Sequence, residues 1–426
     1  MKNMKFYTIV FTLLLFISNT FFAICQEPEQ ENFKEYTGEV VDSETGNPLI
    51  FVSLSIKDTN ISTVTNSDGE FLLKIPMNLS NGVVMVSYLG YQPKELPIAS
   101  LDRKNNKIRL EIAVINLAEV NINLPKNAYS LVKRVFKKKA ENNLNKPVLM
   151  TAFYRETIKK RRRNVSLAEA IVNLYKQPYT SGKNDNIELY KTRKSTDYKR
   201  LDTIALKLQG GPYNPLYIDL MKYPEYIFGE DMIENYSFSF APASNIDGRP
   251  VFVVKFKQRA DVLTPLYYGK LFIDSNSLAL ISAIYNLNVE DKNLAAGLFV
   301  RKKPLNIRVY PTNATYRVDY REKDGKWYYS YGNVQLSFVV KRKRKWFNSK
   351  YSLSSEMAVT DWELNPANEK PGRKERLKKT VIITDAISGF SDPDFWGAYN
   401  VIEPEKSIES AISKIQRQLK RMEKGG

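Results

Sequence analysis

The stretch Ile61-Ser62-Thr63-Val64-Thr65-Asn66-Ser67-Asp68-Gly69-Glu70-Phe71-Leu72-Leu73-Lys74-Ile75 decides how the first part of the chain folds. Ile61, Thr63 and Thr65 alternate on the way in, and Phe71, Leu73 and Ile75 leave at a spacing of two. Asp68-Gly69 sits between them. An Asp-Gly step between alternating runs predicts a hairpin, because glycine accepts a positive φ at little steric cost. Outward from it, strands are expected over residues 36–42, 49–57, 61–65, 70–75, 83–88, 92–97, 107–111 and 114–120. Ser43-Glu44-Thr45-Gly46-Asn47-Pro48 forms an intervening turn. Short strands with turns at such regular intervals predict an antiparallel β-sandwich over residues 36–122.

Four spaced motifs in this region carry a resemblance. They are Gly38-Glu39-Val40-Val41-Asp42, Thr45-Gly46-Asn47-Pro48-Leu49, the 65–71 hairpin and Val86-Ser87-Tyr88-Leu89-Gly90-Tyr91. Together they resemble the carboxypeptidase-regulatory-like domain. One departure is Asn66, where the family more often has aspartate. The resemblance implies a transthyretin-like sandwich, an accessory module without catalytic residues, found at the N-termini of Gram-negative envelope proteins that include TonB-dependent glycan importers. The family name does not imply carboxypeptidase chemistry here. The chain contains no histidine, so a histidine-ligated zinc and a histidine-based triad are excluded.

Residues 1–25 have the form of a secretory signal peptide. Lys2 and Lys5 precede a mostly apolar run, and Ala23 and Cys25 occupy the −3 and −1 positions before Gln26. Cys25 is the single cysteine. Cleavage after it leaves no thiol, whereas cleavage before it makes it a lipidated N-terminus. Either course places the protein outside the cytoplasm, in the periplasm or outer membrane. Residues 26–35 are an acidic leader.

Charge divides the chain in two. Residues 26–122 carry a net −6 and residues 123–426 a net +22. A basic body of this kind suits anionic head groups or acidic glycans, and for an exported chain nucleic acid is not an expected partner. A solvated basic surface explains the same composition.

Residues 123–145 connect the units. Ala128, Leu131, Val132, Val135, Phe136 and Ala140 predict an amphipathic helix over 127–143, with Asn127 as its cap and lysines on the far side. Its basic face suits solvent or an anionic membrane surface.

Residues 146–402 are expected to form a larger antiparallel sheet. Strands are predicted over 148–160, 166–175, 187–194, 236–241, 250–257, 266–274, 278–289, 315–322, 326–331, 334–340 and 351–360. The basic run Lys159-Lys160-Arg161-Arg162-Arg163-Asn164 is expected as a hairpin loop, and Leu294-Ala295-Ala296-Gly297-Leu298-Phe299-Val300 as a short helix or lid. Tyr316, Val318 and Tyr320 alternate with Arg317, Asp319 and Arg321, which predicts one apolar and one polar face. Pro250-Val251-Phe252-Val253-Val254-Lys255-Phe256, then Tyr268-Gly269-Lys270-Leu271-Phe272-Ile273-Asp274, then Leu278-Ala279, resemble the lipoprotein-carrier (LolA-like) half-barrel. That resemblance implies a curved antiparallel sheet cupping a helix and an apolar ligand. Residues 403–426 are expected to form a C-terminal helix. The fold class is therefore mainly β, a sandwich followed by a half-barrel sheet with a few helices.

Candidate chemistry is sparse. Ser130-Leu131-Val132-Lys133 has a Ser-x-x-Lys spacing but lacks the companion motifs. Ser181-Gly182-Lys183 lacks the preceding glycine of a phosphate loop. Asp219, Glu225, Glu230, Asp231 and Glu234 are the one acidic cluster, suited to glycoside hydrolysis or calcium. Their spacing matches neither, so solvated loop charges are expected. Tyr213, Tyr217, Tyr223, Tyr226 and Tyr236 offer stacking surfaces for sugars, with core packing the commoner use. No catalytic residue, metal site or cofactor follows. The leading expectation is a non-enzymatic envelope protein binding a lipid, lipoprotein or protein partner through the second unit. The alternative is a glycan- or peptide-binding accessory protein of outer-membrane uptake, and a carboxylate hydrolase comes third.

Overall fold

The structure, a computed structural model, describes residues 32–113, 127–161, 163–196, 208–246, 248–300, 305–343, 348–387 and 396–404. The proposed signal peptide, the strand expected over 114–120 and the body of the C-terminal helix lie outside these residues.

The first unit contains β1 (Phe33–Asp42), β2 (Ser53–Ile56), β3 (Ser62–Val64), β4 (Glu70–Pro76), β5 (Val83–Ser87), β6 (Lys94–Pro97) and β7 (Asn106–Leu110). They form two sheets, ordered β4-β1-β7 and β3-β2-β5-β6. Val40, Leu54, Phe71, Leu73, Val84 and Val86 fill the space between the sheets, all at most 1% exposed. The pairing is antiparallel except that β1 and β7 run parallel. Gly69 takes φ 75° at the hairpin, where a side chain would also strike Pro48. The motif residues cooperate: Asp42 accepts from the amides of Glu44 and Thr45, the Thr45 hydroxyl and the Tyr91 hydroxyl. The Thr45 amide and hydroxyl, then Tyr91, hold the Asp42 carboxyl down to about 2. The strand expected from residue 49 begins only at Ser53, because Phe51 adopts φ 61° and interrupts the extended run.

A capped helix, α1 (Ala128–Lys137), follows. The Asn127 side chain accepts from the Ser130 amide, as expected of a cap. Leu131, Val132 and Val135 are buried. The helix breaks at Lys138 and restarts as α2 (Lys139–Asn142). That break leaves Ala140 exposed rather than on the apolar face expected for it.

The second unit is one ten-stranded sheet. Its members are β8 (Val148–Lys160), β9 (Arg163–Lys176), β10 (Asn186–Thr196), β11 (Tyr236–Ile246) and β12 (Arg249–Gln258), then β13 (Tyr267–Asp274), β14 (Leu280–Leu287), β15 (Ile307–Lys323), β16 (Lys326–Arg342) and β17 (Ser349–Leu364). The order is β10-β9-β8-β17-β16-β15-β14-β13-β12-β11, antiparallel throughout and not closed into a barrel. Two strands expected over 326–331 and 334–340 are one continuous strand. Gly332 lies inside it because the Tyr329 hydroxyl and the Pro215 carbonyl occupy the space a side chain would need.

The two faces of this sheet have different covers. Ala152, Tyr154, Ala170, Val172, Met357 and Val359 point to one face, with α1 and residues 213–236 packed over them. That segment contains α3 (Tyr213–Leu216). On the other face, Phe153, Ile171, Tyr331 and Ala358 meet Val64 of the sandwich and the strap Trp396, Val401 and Ile402. The helix α4 (Lys292–Phe299) lies between β14 and β15, and the short α5 (Ile383–Ala386) follows β17.

Candidate functional site

A cleft of about 480 Å³ lies where the sandwich meets the large sheet. That size falls within the range of small-ligand pockets. One wall is the outward side of β2 and β5, supplying Ser53, Ser55, Met85 and Ser87. The other is β14 to β16, supplying Ser282, Arg317, Asp319, Arg321, Trp327 and Ser330. The alternation in β15 is as expected, but its polar face does not simply meet water. It meets the sandwich.

Arg317 is the centre of this wall. Its guanidinium stands 5.6 Å from the Phe51 ring centre and 5.7 Å from that of Tyr88. It pairs with Asp319 at 2.8 Å and donates to the Phe51 carbonyl at 3.4 Å. Asp319 in turn accepts from the Ser282 hydroxyl at 2.6 Å. Phe51 itself is held at positive φ, uncommon for a bulky residue and costly enough to need support from its surroundings. The Arg317 contact, the Thr65 carbonyl at 3.2 Å and the Tyr331 ring at 5.4 Å give that support. Five cations and four carboxylates line the cleft, so its charges nearly cancel. Such a wall presents hydroxyls, a planar cation and ring faces, and lacks a strong field of either sign.

Two ionic clusters are buried deeper. Lys176, 2% exposed at its side chain, donates to Asp185 at 2.8 Å and Asp219 at 2.7 Å. Burial alone lowers its pKa, but the two carboxylates outweigh burial and hold it above its usual value. The rings of Tyr179, Tyr223 and Tyr329 surround the ammonium at 5.0–5.8 Å. Tyr223 donates to Asp185 and Tyr320 to Asp219. Nearby Lys222 donates to the carbonyls of Pro178 and Ser181, and burial pushes it down to about 8.

The second cluster has the opposite composition. Glu169, fully buried, is gripped by Arg155 at 2.8 Å and Arg193 at 2.5 Å. Burial alone raises its pKa, yet the two guanidiniums hold it below the ordinary value. Arg155 also donates to the carbonyls of Ile402 and Glu403. This fixes the strap, residues 396–404, against the sheet. The strap then grips the sandwich: Asn400 accepts from the Lys74 amide and donates to the Lys74 carbonyl, completing the outer edge of β4. Asn66 donates to the carbonyls of Glu403 and Pro404, and Thr63 to that of Val401. The opening hairpin is thus a docking surface.

Glu156 stands on the opposite face of β8 from Arg155. Its hydrogen bond comes from the Tyr154 hydroxyl at 2.8 Å, and burial pushes its carboxyl up to about 7.

The acidic cluster read from the sequence is not brought together. Asp219 is fully buried on Lys176, which corrects the expectation of a solvated charge, while Glu225, Glu230, Asp231 and Glu234 are exposed. Among the described residues no group of three acidic or cysteine side chains is placed to hold a metal. Tyr213, Tyr217, Tyr223 and Tyr226 stack on one another, and Tyr236 packs on Phe228 and Phe256. Tyr213, Tyr223 and Tyr236 are core, as the commoner use predicts, while Tyr217 is half-buried and Tyr226 is exposed. Ser130 is exposed, and Lys133 donates to Tyr129. Ser181-Gly182-Lys183 lies in the β9–β10 turn. Of the residues that sequence reasoning missed, Arg155 and Glu169 were signalled by charges set inside otherwise apolar strands, whereas Lys176 at the end of β9 and Arg193 in the charge-rich β10 carried no such signal.

Residues 36–122 match the family model of the CarboxypepD_reg-like domain. A stretch of the chain is 31% identical over 115 residues to the TonB-dependent receptor SusC of Bacteroides thetaiotaomicron. This covers 26% of the chain but only 11% of the receptor. Two solved structures are similar at 12% identity. One is a DUF1329 family protein from Desulfovibrio piger, with 55% of this chain and 90% of that one covered at a TM-score of 0.20. The other is a Vibrio parahaemolyticus domain described as outer membrane lipoprotein-sorting, with 57% and 94% covered at a TM-score of 0.24. Scores of this size define no common fold, so the second unit is described by its own strand order.

Proposed function

We propose that this is a non-enzymatic protein of a Gram-negative envelope that binds a neutral saccharide in the cleft between sandwich and sheet. The observation that carries the reading is the Arg317–Asp319 pair set between the rings of Phe51 and Tyr88. Guanidinium and carboxylate pairs match vicinal hydroxyls, and ring faces match the apolar side of a pyranose. The near balance of charge favours a neutral ligand over a polyanion.

The matched domain and the partial likeness to an outer-membrane receptor support an envelope setting; export through residues 1–25 with processing at Ala23 and Cys25 is part of the proposal and rests on the sequence alone. No helix among the described residues is long and apolar enough to cross a membrane. A carrier of lipid or lipoprotein has less support, because α1 and residues 213–236 fill the apolar face where such cargo would sit.

An array of neutral oligosaccharides and peptides, followed by titration calorimetry, tests the proposal. Binding of an oligosaccharide that weakens roughly ten- to a hundredfold in Arg317→Ala is expected, the loss of charged hydrogen bonds. Binding of peptides alone, or saccharide binding indifferent to Arg317→Ala, overturns it.

A further inference from the structure

The strand order places alternate connections at the same end of the large sheet. The β8–β9, β12–β13, β14–β15 and β16–β17 connections share one end, and the β9–β10, β11–β12, β13–β14 and β15–β16 connections share the other. The two ends differ sharply in charge. At the second, Lys176, Lys183, Arg249, Lys323 and Lys326 stand against Asp185, Asp274, Glu322 and Asp324, and α2 adds Lys139 against Glu141, so the excess is small.

At the first, the β8–β9 tip carries Lys159, Lys160, Arg161 and Arg163, and the β16–β17 tip carries Lys341, Arg342, Lys343 and Lys350. The other two connections add Arg259, Lys292 and Arg308 against Asp261, Glu290 and Asp291. The four connections therefore carry eleven cations against three carboxylates, and the chain entering β11 adds Glu230, Asp231 and Glu234 at the edge of this end, so the excess is concentrated at the β8–β9 and β16–β17 tips.

These loops form one surface. The Arg161 amide donates to the Lys350 carbonyl, the Lys343 amide to that of Asn306, and the Asn288 amide to that of Leu266. Lys292 and Lys341 approach the same Tyr310 ring, at 5.5 and 5.7 Å, which concentrates like charge. Amid the cations stand exposed leucines. Leu263 is 85% exposed and Leu305 fully so. Leu294 and Leu298, one helical turn apart on α4, are 48% and 59% exposed. Buried Ala295 and the edge contact of Phe299 on Phe338 anchor α4 from its other side.

We infer that this end of the sheet docks on the surface of an anionic phospholipid leaflet. Cations attract the head groups over a Debye length, and the leucines enter the boundary between head groups and acyl chains. Neither an acidic protein nor a nucleic acid accounts for isolated leucines ringed by lysine and arginine. The saccharide cleft shares strands β14–β16 with this surface but lies towards their other end, around the β15–β16 turn and under β2 and β5, so the two sites are compatible.

Co-sedimentation of the full chain with vesicles tests the inference. Vesicles of phosphatidylcholine with roughly one third phosphatidylglycerol should retain the protein, pure phosphatidylcholine should not, and salt of about 0.5 M should release it. Lys343→Glu with Lys350→Glu should weaken retention by about tenfold or more, since each cation near such a surface contributes several-fold. Leu294→Ser with Leu298→Ser should weaken it severalfold at low salt without any change of net charge. Lys183→Glu with Lys374→Glu, an equal change of net charge elsewhere, should leave retention within about twofold. Circular dichroism and thermal melting establish that each variant is folded. Equal retention by neutral vesicles, no retention by anionic ones, or equal losses in the two charge-reversal variants overturns the inference.

Discussion

The two buried ionic clusters are inverses of each other. On one face of the sheet, Glu169 lies between Arg155 and Arg193; beneath residues 213–236, Lys176 lies between Asp185 and Asp219. Each central group is satisfied by two partners, so each is stable in place although burial of a lone charge is prohibitive. The difference lies in what remains if the centre is lost. Two carboxylates can take up protons, whereas two guanidiniums stay charged at any pH a protein survives.

The largest effect is expected from Glu169→Ala, which leaves Arg155 and Arg193 facing each other. A loss of about 3–5 kcal/mol is expected in denaturant unfolding. It should be the same at pH 5 and pH 8. Lys176→Met should lose a similar amount at pH 8. Here the sign with pH is definite: buried carboxylates without their cation titrate above their unfolded values, so the folded state binds more protons and stability recovers as pH falls. Identical pH profiles for the two variants would break the contrast between the clusters.

Glu156 sharpens it, as a buried carboxyl with a hydroxyl for partner. Burial pushes its carboxyl up to about 7 from an ordinary value near 4.5, so its destabilising contribution is full above about pH 7 and vanishes below about 4.5. Glu156→Gln should therefore raise stability by about 3 kcal/mol at pH 8 and leave it unchanged near pH 4. Asn66→Asp should cost about 1–2 kcal/mol, because a carboxylate would face the carbonyls of Glu403 and Pro404 where an amide now donates. The smallest effect is expected at Glu225, Glu230 and Asp231, whose replacement by alanine should change stability by less than about 0.5 kcal/mol.

How much the sequence revealed follows from the range of each interaction. The hairpin at Asp68-Gly69, the strand over 148–160 and the Asn127 cap are local, and they stand where periodicity and turn chemistry place them. Residue 66 shows the limit. Its turn role is local, since its side-chain oxygen accepts from the Asp68 and Glu70 amides. The reason for an amide instead of the family's aspartate lies more than three hundred residues along the chain, in the strap. Asp219 teaches the same lesson, for nothing near it in sequence announces Lys176. The polar face of β15 was legible, but its meeting with the sandwich was not. Gly332 read as a break because the side chain that requires it, Tyr329, acts across the strand and against Pro215.

The position of β17 has a consequence for the order of assembly. The seam of β8 with β17, third and fourth in the ten-strand order, has thirteen register pairs joining Val148 to Leu364 at one end and Lys160 to Tyr351 at the other. Most other pairings in the sheet join consecutive strands and close short loops. This seam encloses nearly the whole second unit, so its contact order is high and its closure is slow. Two smaller sheets, β8–β10 and β11–β17, are therefore expected to form first with unpaired inner edges, and the seam that joins them to close last.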